Sequence, residues 1–495
     1  MRQAHDVETV RRAEGTLMAR LPEGALMARA AAGLASVVAR VLPRVSGSRV
    51  VLLVGSGDNG GDALYAGARL ARRGAGVRAV LAGSRVHAAG LAALRAAGGR
   101  AVDPGGAEEE LAAADVVVDG LVGIGGRGGL REPHATLARQ AARIAAPVVA
   151  VDLPSGIDAD TGAVTGPAVR ADVTVTFGTH KPGLLVDPGA EHAGVVEFVD
   201  IGLAPWLPGP LAEAPQDADI AALLPRPGAE SDKYRRGLLA VAAGSDRYRG
   251  AAVLAVGGAV RGGAGMVRYV GQEGVAADVV RRWPEVVTAV QDPADPVAGL
   301  PGRVAAWVIG PGRGLDAPAE AELAAVLESE RPVLVDADAL TLVSRRPDLV
   351  RNRKGPTVLT PHAAELSRLL PGSEPADIAA RRLEYARRAA GEYGCTVLLK
   401  GSTTVVADPD GPAVVNPTGT PLLATAGTGD VLSGLIGALL AGGLAPRSAA
   451  ACGAYLHGRA ARLAGRGAPI SASDLPGALP AAVRSVRERG AGRRT

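Results

Sequence analysis

Short apolar runs alternate with helical stretches along nearly the whole chain, and one proline-rich interval breaks the alternation. The runs "RVVLLVG" (49–55), "VRAVLAG" (77–83), "ADVVVDG" (114–120) and "APVVAVD" (146–152) are apolar at every step, with helical stretches such as "ALYAGARLARRG" (63–74) between them. A strand that is apolar at successive residues is buried on both faces, which means a parallel sheet with helices above and below it. The interval "APWLPGPLAEAPQDADIAALLPRPGAESD" reads as a connector. The alternation then restarts with "GLLAVAAGS" (237–245), "AAWVIG" (305–310), "RPVLVDAD" (331–338), "GPTVLTPH" (355–362) and "CTVLLKGSTTVVA" (395–407). The expectation is an α/β protein of two three-layer α/β/α domains, 1–212 and 217–495, with the tail "RERGAGRRT" frayed.

Composition excludes several classes. The N-terminus is charged and lacks the apolar core of a secretory signal, and no run resembles a membrane span. Two cysteines, Cys395 and Cys452, make neither a disulfide framework nor a metal-ligand spacing. A cytoplasmic protein is expected. The net charge of +4 does not point to nucleic acid, because the arginines are scattered and aromatic residues are only 2% of the chain. The basic residues are nearly all arginine; the lysines are Lys181, Lys233, Lys354 and Lys400, and asparagine is as scarce. A compact ammonium that this biased chain retains is a candidate for chemistry, although Lys354 and Asn352, in a polar stretch, need no such reason.

In the first domain "VVLLVGSGDNGGDALYAGARL" (50–70) reads as strand, glycine loop and helix. Gly55, Gly57 and Gly60 formally match a dinucleotide fingerprint, but the next strand ends without the acid that such a fold uses on the ribose. The loop carries Asp58, Asn59 and Asp62, which suits a cation or a hydroxyl-rich ligand better than a bare phosphate. Asp119 and Asp152 stand at two further strand ends, and Ser155 follows in a tight turn. Any one of these acids could cap a helix; three in order at strand ends, where open α/β sheets bind ligands, suggest one crevice.

Taken together, "GSGDNGGDA", "DGLVGIGGRG", "VDLPSGIDADTG" and "ADVTVTFGTHKPGL", with "ALMARAA" (25–31) near the start, resemble the NAD(P)H-hydrate epimerase domain. That family usually carries NNGGDG where this chain has Asp58 and Ala63. The resemblance implies a Rossmann-like domain and a potassium ion held by Asn59, Asp119 and Ser155. It implies hydrate contacts from Asp58, Asn59, Gly60, Gly61 and Asp62, from the loop Gly123, Ile124, Gly125, Gly126, Arg127, Gly128 and Gly129, and from Asp152, the candidate acid/base. Lys181 sits in the family's KPG turn, a structural role.

In the second domain Lys400 ends a strand and is followed by Gly-Ser-Thr-Thr, a sequence suited to nucleotide phosphates. The run "ATAGTGDVLSGLIGALLAGG" (424–443) then opens a helix on a glycine turn, an anion site, with Asp430 beside it. Asp430 is either the cap of that helix or the base that takes a proton from an attacking hydroxyl. The ordered set resembles the ribokinase-like superfamily and, through "RWPEVVT" (282–288) and "TPHAAEL", its ADP- or ATP-dependent NAD(P)H-hydrate dehydratases. Ala426 stands where a glycine is usual, and Asp232 precedes Lys233 where a histidine is usual. The resemblance implies hydrate contacts at Ala264, Gly312, His362 and Asp430. It implies nucleotide contacts at Lys400, Gly401, Ser402, Thr403, Thr404 and Gly429, with Mg2+ accompanying ADP or ATP. The function it implies is repair of hydrated NADH and NADPH: epimerisation of the R and S hydrates, then nucleotide-dependent dehydration of the S epimer. The alternatives are a vitamin-precursor kinase with an accessory ligand-binding domain, and a scaffold or RNA-associated protein. The partners implied are small molecules, with no nucleic acid and no membrane, and a homo-oligomer is compatible with all of this.

Overall fold

The computed structural model describes residues 1–83, 85–226, 228–292, 295 and 304–491. The chain forms two compact units, Gln3–Ala212 and Glu213–Thr495, the second also taking in Met1–Arg2.

The sheet of the N-terminal unit runs, edge to edge, Arg100–Val102, Gly76–Leu81, Arg49–Val54, Val116–Gly120, Val148–Val151, Val173–Phe177, Val195–Val199. Every neighbouring pair is parallel. The reason for the unbroken apolar runs is visible in strand 49–54. Val50, Leu52 and Val54 enter one buried cluster and Val51 and Leu53 another, on opposite faces. The order reverses direction between Arg49–Val54 and Val116–Gly120, which opens a crevice beyond their C-terminal ends.

In the C-terminal unit the strands run Ala413–Val415, Val405–Ala407, Thr396–Leu399, Thr357–Leu359, Val333–Val335, Ala306–Ile309, Leu238–Ala242, Met266–Gly271, Val287–Val290. The strands from Thr396–Leu399 to Val287–Val290 are mutually parallel, and the hairpin 405–415 adds antiparallel neighbours. The helix Thr428–Ala441 is buried from Val431 through Ala441. It lies against the helix Arg249–Arg261 through facing glycines. A Cβ on Gly434 would sit 1.8 Å from Ala255 O, and one on Gly258 would sit 2.1 Å from Val431 O. Backbones approach this closely only where no side chain intervenes, which accounts for the small residues in that run.

Two expectations need correction. The connector contains a helix, Asp217–Leu223, opened by a capping box at Gln216 and held by Ile220, Ala221 and Leu224 in the core. The tail is not frayed over 487–491: the helix Asp474–Ala491 buries Leu475, Leu479, Ala482 and Val486 at helical spacing, and Arg487 donates to Pro225 O at 2.9 Å. Residues 492–495 lie outside the described residues.

Candidate active sites

In the N-terminal unit the loop after strand 49–54 makes its turn on glycines with no room for a side chain. A Cβ on Gly55 would lie 1.8 Å from Leu121 O, and one on Gly60 would lie 2.4 Å from Gly55 O. This packing brings Asn59 against the end of the neighbouring strand, with Oδ1 2.8 Å from where a Gly123 Cβ would stand. Asp119, wholly buried, accepts from Ser155 Oγ at 2.7 Å, Ser155 N at 2.8 Å and Leu121 N at 3.3 Å. Ser155 Oγ also accepts from Val122 N at 2.9 Å. Asn59, Asp119 and Ser155 therefore meet around residues 119–123. Burial pushes the Asp119 carboxyl up to about 6, opposed by its hydrogen bonds from Ser155 and Leu121.

Asp152 follows strand 148–151 with a left-handed φ of 67°. Its Oδ1 accepts from Thr176 Oγ1 at 3.2 Å and Phe177 N at 3.3 Å, and forms a close ion pair with Lys181 Nζ. Lys181 is 1% exposed and also donates to Thr176 Oγ1 and Phe177 O, each at 3.1 Å. So the lysine read as a structural turn residue delivers its ammonium to the proposed acid/base. Its signal was its scarcity.

Two more carboxyls share this field. Asp62 Oδ1 is sealed from solvent with no hydrogen-bond partner among the described residues. Burial, then the charges of Asp152, Asp58 and Glu14, hold its carboxyl well above the usual range. Glu14, on the helix Val7–Met18, is raised by burial against the opposing pull of Lys181. Sequence reasoning missed Glu14, which belongs to no motif. Further along the crevice, Gly126, Arg127, Gly128 and Gly129 line a cavity of about 220 Å3 with Gly156 and Ile157. Ile124 packs on the cluster holding Leu153 and Ile157, and Gly125 faces Arg11 on that same N-terminal helix.

In the C-terminal unit Lys400 leaves the end of strand 396–399 and bonds Asp336 Oδ1 at 2.6 Å, with Glu365 Oε2 at 3.7 Å. Asp336, 1% exposed, also accepts from Ser433 Oγ at 2.6 Å. Burial lowers the Lys400 pKa, but the surrounding carboxylates, Asp336 first, win and raise it, so the ammonium stays charged. Its Nζ lies 3.8 Å from where a Gly429 Cβ would stand, at the opening of the helix Thr428–Ala441. Gly427, at φ 87°, is the residue that caps that helix. Asp430 is therefore not the cap, and among the described residues its carboxylate holds no hydrogen bond to the helix end. Burial, then the charges of Asp336 and Asp338, push it up to about 7 against the pull of Lys400.

His362 opens the helix Ala363–Leu369, its Nδ1 accepting from Ala364 N at 3.1 Å and Glu365 N at 3.2 Å. Burial lowers its pKa, in keeping with a neutral ring that accepts at Nδ1. Gly312 lies in the loop 310–314, with φ 62°, against Tyr248 and Ala251. Gly314 N donates to Asp338 Oδ2 at 2.9 Å. Residues 312, 362, 400–404 and 430 thus share one edge of the sheet. Ala264 does not. It precedes strand 266–271, with Gly265 N bonded to Gly237 O, and so lies at the opposite edge of a parallel sheet from residues that follow their strands. The expected set of four hydrate contacts does not form a single cluster within one chain.

Among the described residues no group of three His, Cys, Asp or Glu is placed to hold a metal ion, and no helix is long and apolar enough to cross a membrane.

The chain matches a family model described as NAD(P)H-hydrate dehydratase over 239–477, and another described as YjeF-related protein N-terminus over 23–183. It is 50% identical over 486 residues to the "Bifunctional NAD(P)H-hydrate repair enzyme Nnr" of Mycobacterium leprae, covering 97% of this chain and 96% of the relative. It is 49% identical over 461 residues to the enzyme of that name from Mycobacterium tuberculosis, covering 91% and 92%. A crystal structure of the ADP/ATP-dependent NAD(P)H-hydrate dehydratase of Bacillus subtilis, co-crystallised with ATP and Mg2+, aligns with a TM-score of 0.50 at 32% identity, covering 55% of this chain and 97% of that one. With its two domains in order and its relatives covered almost end to end, the chain belongs to the family of bifunctional NAD(P)H-hydrate repair enzymes.

Proposed function

We propose that the N-terminal unit interconverts the R and S epimers of hydrated NADH and NADPH, and that the C-terminal unit uses ADP or ATP to return the S epimer to the reduced coenzyme. The observation that carries the reading is Asp430. It is a carboxylate at a glycine-opened helix, beside the half-buried ammonium of Lys400, that does not cap the helix and has its pKa raised to about 7. A base poised there takes the proton of the hydrate's hydroxyl as that oxygen attacks the terminal phosphorus of the nucleotide. The bridging oxygen leaves with the shorter nucleotide, and Lys400 and the amides at 427–429 hold the phosphates. Phosphate is a better leaving group than hydroxide. The ring nitrogen lone pair expels it, and loss of the neighbouring ring proton restores the double bond. The matched dehydratase domain favours this over a vitamin-precursor kinase.

In the N-terminal unit the ring nitrogen can expel the hydroxyl as water and water can return on the other face. One group must give a proton and another take one. Asp152, ion-paired with Lys181, is the candidate base, and Asp62 and Glu14, whose carboxyl pKa values burial raises, are the candidate acids.

The residues at 119–123 fit a potassium ion. Asp119, Ser155 and Asn59 offer hard oxygens, and a buried carboxylate with only hydrogen bonds to offset its charge gains from a cation. Such an ion would supply fixed positive charge to the crevice. Mg2+ would accompany the nucleotide, held chiefly by its phosphates. The reading places the enzyme in the cytoplasm, with its nucleotide substrates. Purified S hydrate with ADP or ATP tests it: recovery of NADH absorbance supports the dehydratase, and phosphorylation of a vitamin precursor without that recovery would replace it.

A further inference from the structure

A cavity of the C-terminal unit, about 410 Å3, lies where the helices Arg249–Arg261 and Thr428–Ala441 end, lined by Gly262, Gly263 and Gly442. Asp430 is at the other end of the second helix, about 20 Å away at 1.5 Å per residue. Five arginines line the cavity: Arg226, Arg235, Arg236, Arg261 and Arg487. Its apolar lining includes Leu224, Leu439, Leu456 and Val483.

The arginines are more than helix caps. Arg236 does donate to Gly263 O at 3.0 Å, and Arg487 donates through one terminal nitrogen to Pro225 O. But Arg487 Nε is sealed from solvent with no hydrogen-bond partner among the described residues. Arg226 and Arg261 have no ion-pair partner among the described residues, and Arg235 meets carboxylates only at 3.9 Å, from Glu230 and Asp232. Five positive charges against two distant carboxylates leave a surplus that two helix C-termini, with about half a charge each, do not cancel. Planar guanidinium forks suit phosphate oxygens, and an apolar floor beside them suits a base.

We propose that this cavity binds a nucleoside polyphosphate, its phosphates on the arginines and its base on the apolar floor, as a site separate from the one at Lys400. The proposal does not depend on the repair reaction.

The test is calorimetric titration of the full chain with ADP, without hydrate. Two ADP molecules per chain are expected. In Arg226→Ser/Arg235→Ser/Arg261→Ser the second should weaken by about tenfold or more. Dehydration at saturating ADP should be unchanged, since none of the three lies at the Lys400 edge, and an unchanged melting temperature certifies the fold. Lys400→Met should lose the other site and keep this one. Inorganic pyrophosphate and adenosine should each compete more weakly than ADP, and added salt should weaken the site. One ADP per chain, or a second site unaltered in the triple variant, overturns the proposal. Pyrophosphate binding as tightly as ADP overturns its nucleoside part. Loss of dehydration with both sites intact would count against the reaction assigned above and leave this site standing.

Discussion

Asp430→Asn should do two opposite things at once. The folded protein holds this carboxyl at about 7 against an ordinary 3.8. The folded state therefore keeps a proton that the unfolded chain has lost between those two values. The sign follows: stability is withheld as pH rises through that window, and the loss is complete above about pH 7. Three units at 1.36 kcal/mol each set a ceiling of about 4 kcal/mol at pH 8 and about 2 kcal/mol at pH 5.5. Asparagine has nearly the same shape and no charge, so the variant should gain stability, more at pH 8 than at pH 5.5. Turnover should fall by about 10²–10⁴, the usual cost of losing a positioned base. Nucleotide should still bind, since Lys400 and the glycine amides remain. Urea unfolding followed by tryptophan fluorescence in a Trp206→Phe background, which removes the tryptophan of the N-terminal unit, reads the C-terminal unit, where Trp283 and Trp307 are buried. NADH recovery from S hydrate reads turnover. A variant that is less stable at pH 8, or one that turns over normally, would refute the reasoning.

In the wild type, dehydration should rise with pH through about 7 as Asp430 loses its proton; a rate flat across that range would exclude it as the base. Lys181→Met leaves the Asp152 carboxylate without its ammonium, so the N-terminal unit should lose about 3–5 kcal/mol in denaturant and epimer exchange should fall, with S-hydrate dehydration intact; retained exchange in the folded variant would make Lys181 merely structural. Crystals grown with rubidium should show anomalous density between Asn59, Asp119 and Ser155, and water there under high rubidium would count against the ion. Gly434→Ala places a Cβ 1.8 Å from Ala255 O, so the melting transition should drop by at least the 1–3 kcal/mol of ordinary overpacking, and a neutral result would contradict the close helix contact.

How far the sequence carries depends on the distance over which each residue acts. The strands were legible because residues 50–54 are apolar at every position, as a strand packed on both faces must be. Asp119, Asp152 and Lys400 were legible because each ends such a strand. The partnership of Asp152 with Lys181 spans 29 residues and depends on strand order, which apolar periodicity does not encode. Glu14 reaches the crevice from a helix with no motif of its own. Ala264 misled because a sequence motif carries no sense of which edge of the sheet it occupies, whereas in a parallel sheet a residue before a strand and a residue after one are a strand length apart. The helix 217–223 was masked by the prolines around it, although Ile220, Ala221 and Leu224 are what anchor it.

The most direct measurement gives the full chain a mixture of R and S hydrate with excess ADP or ATP and follows NADH absorbance to completion. Wild type should convert all of the hydrate. Asp152→Asn should stop at the amount of S epimer supplied, apart from slow spontaneous epimerisation, and adding wild-type N-terminal activity should release the remainder. If Asp152→Asn consumed both epimers as fast as wild type, or if the folded variant consumed neither, the account of two activities on two separate sets of residues would be contradicted.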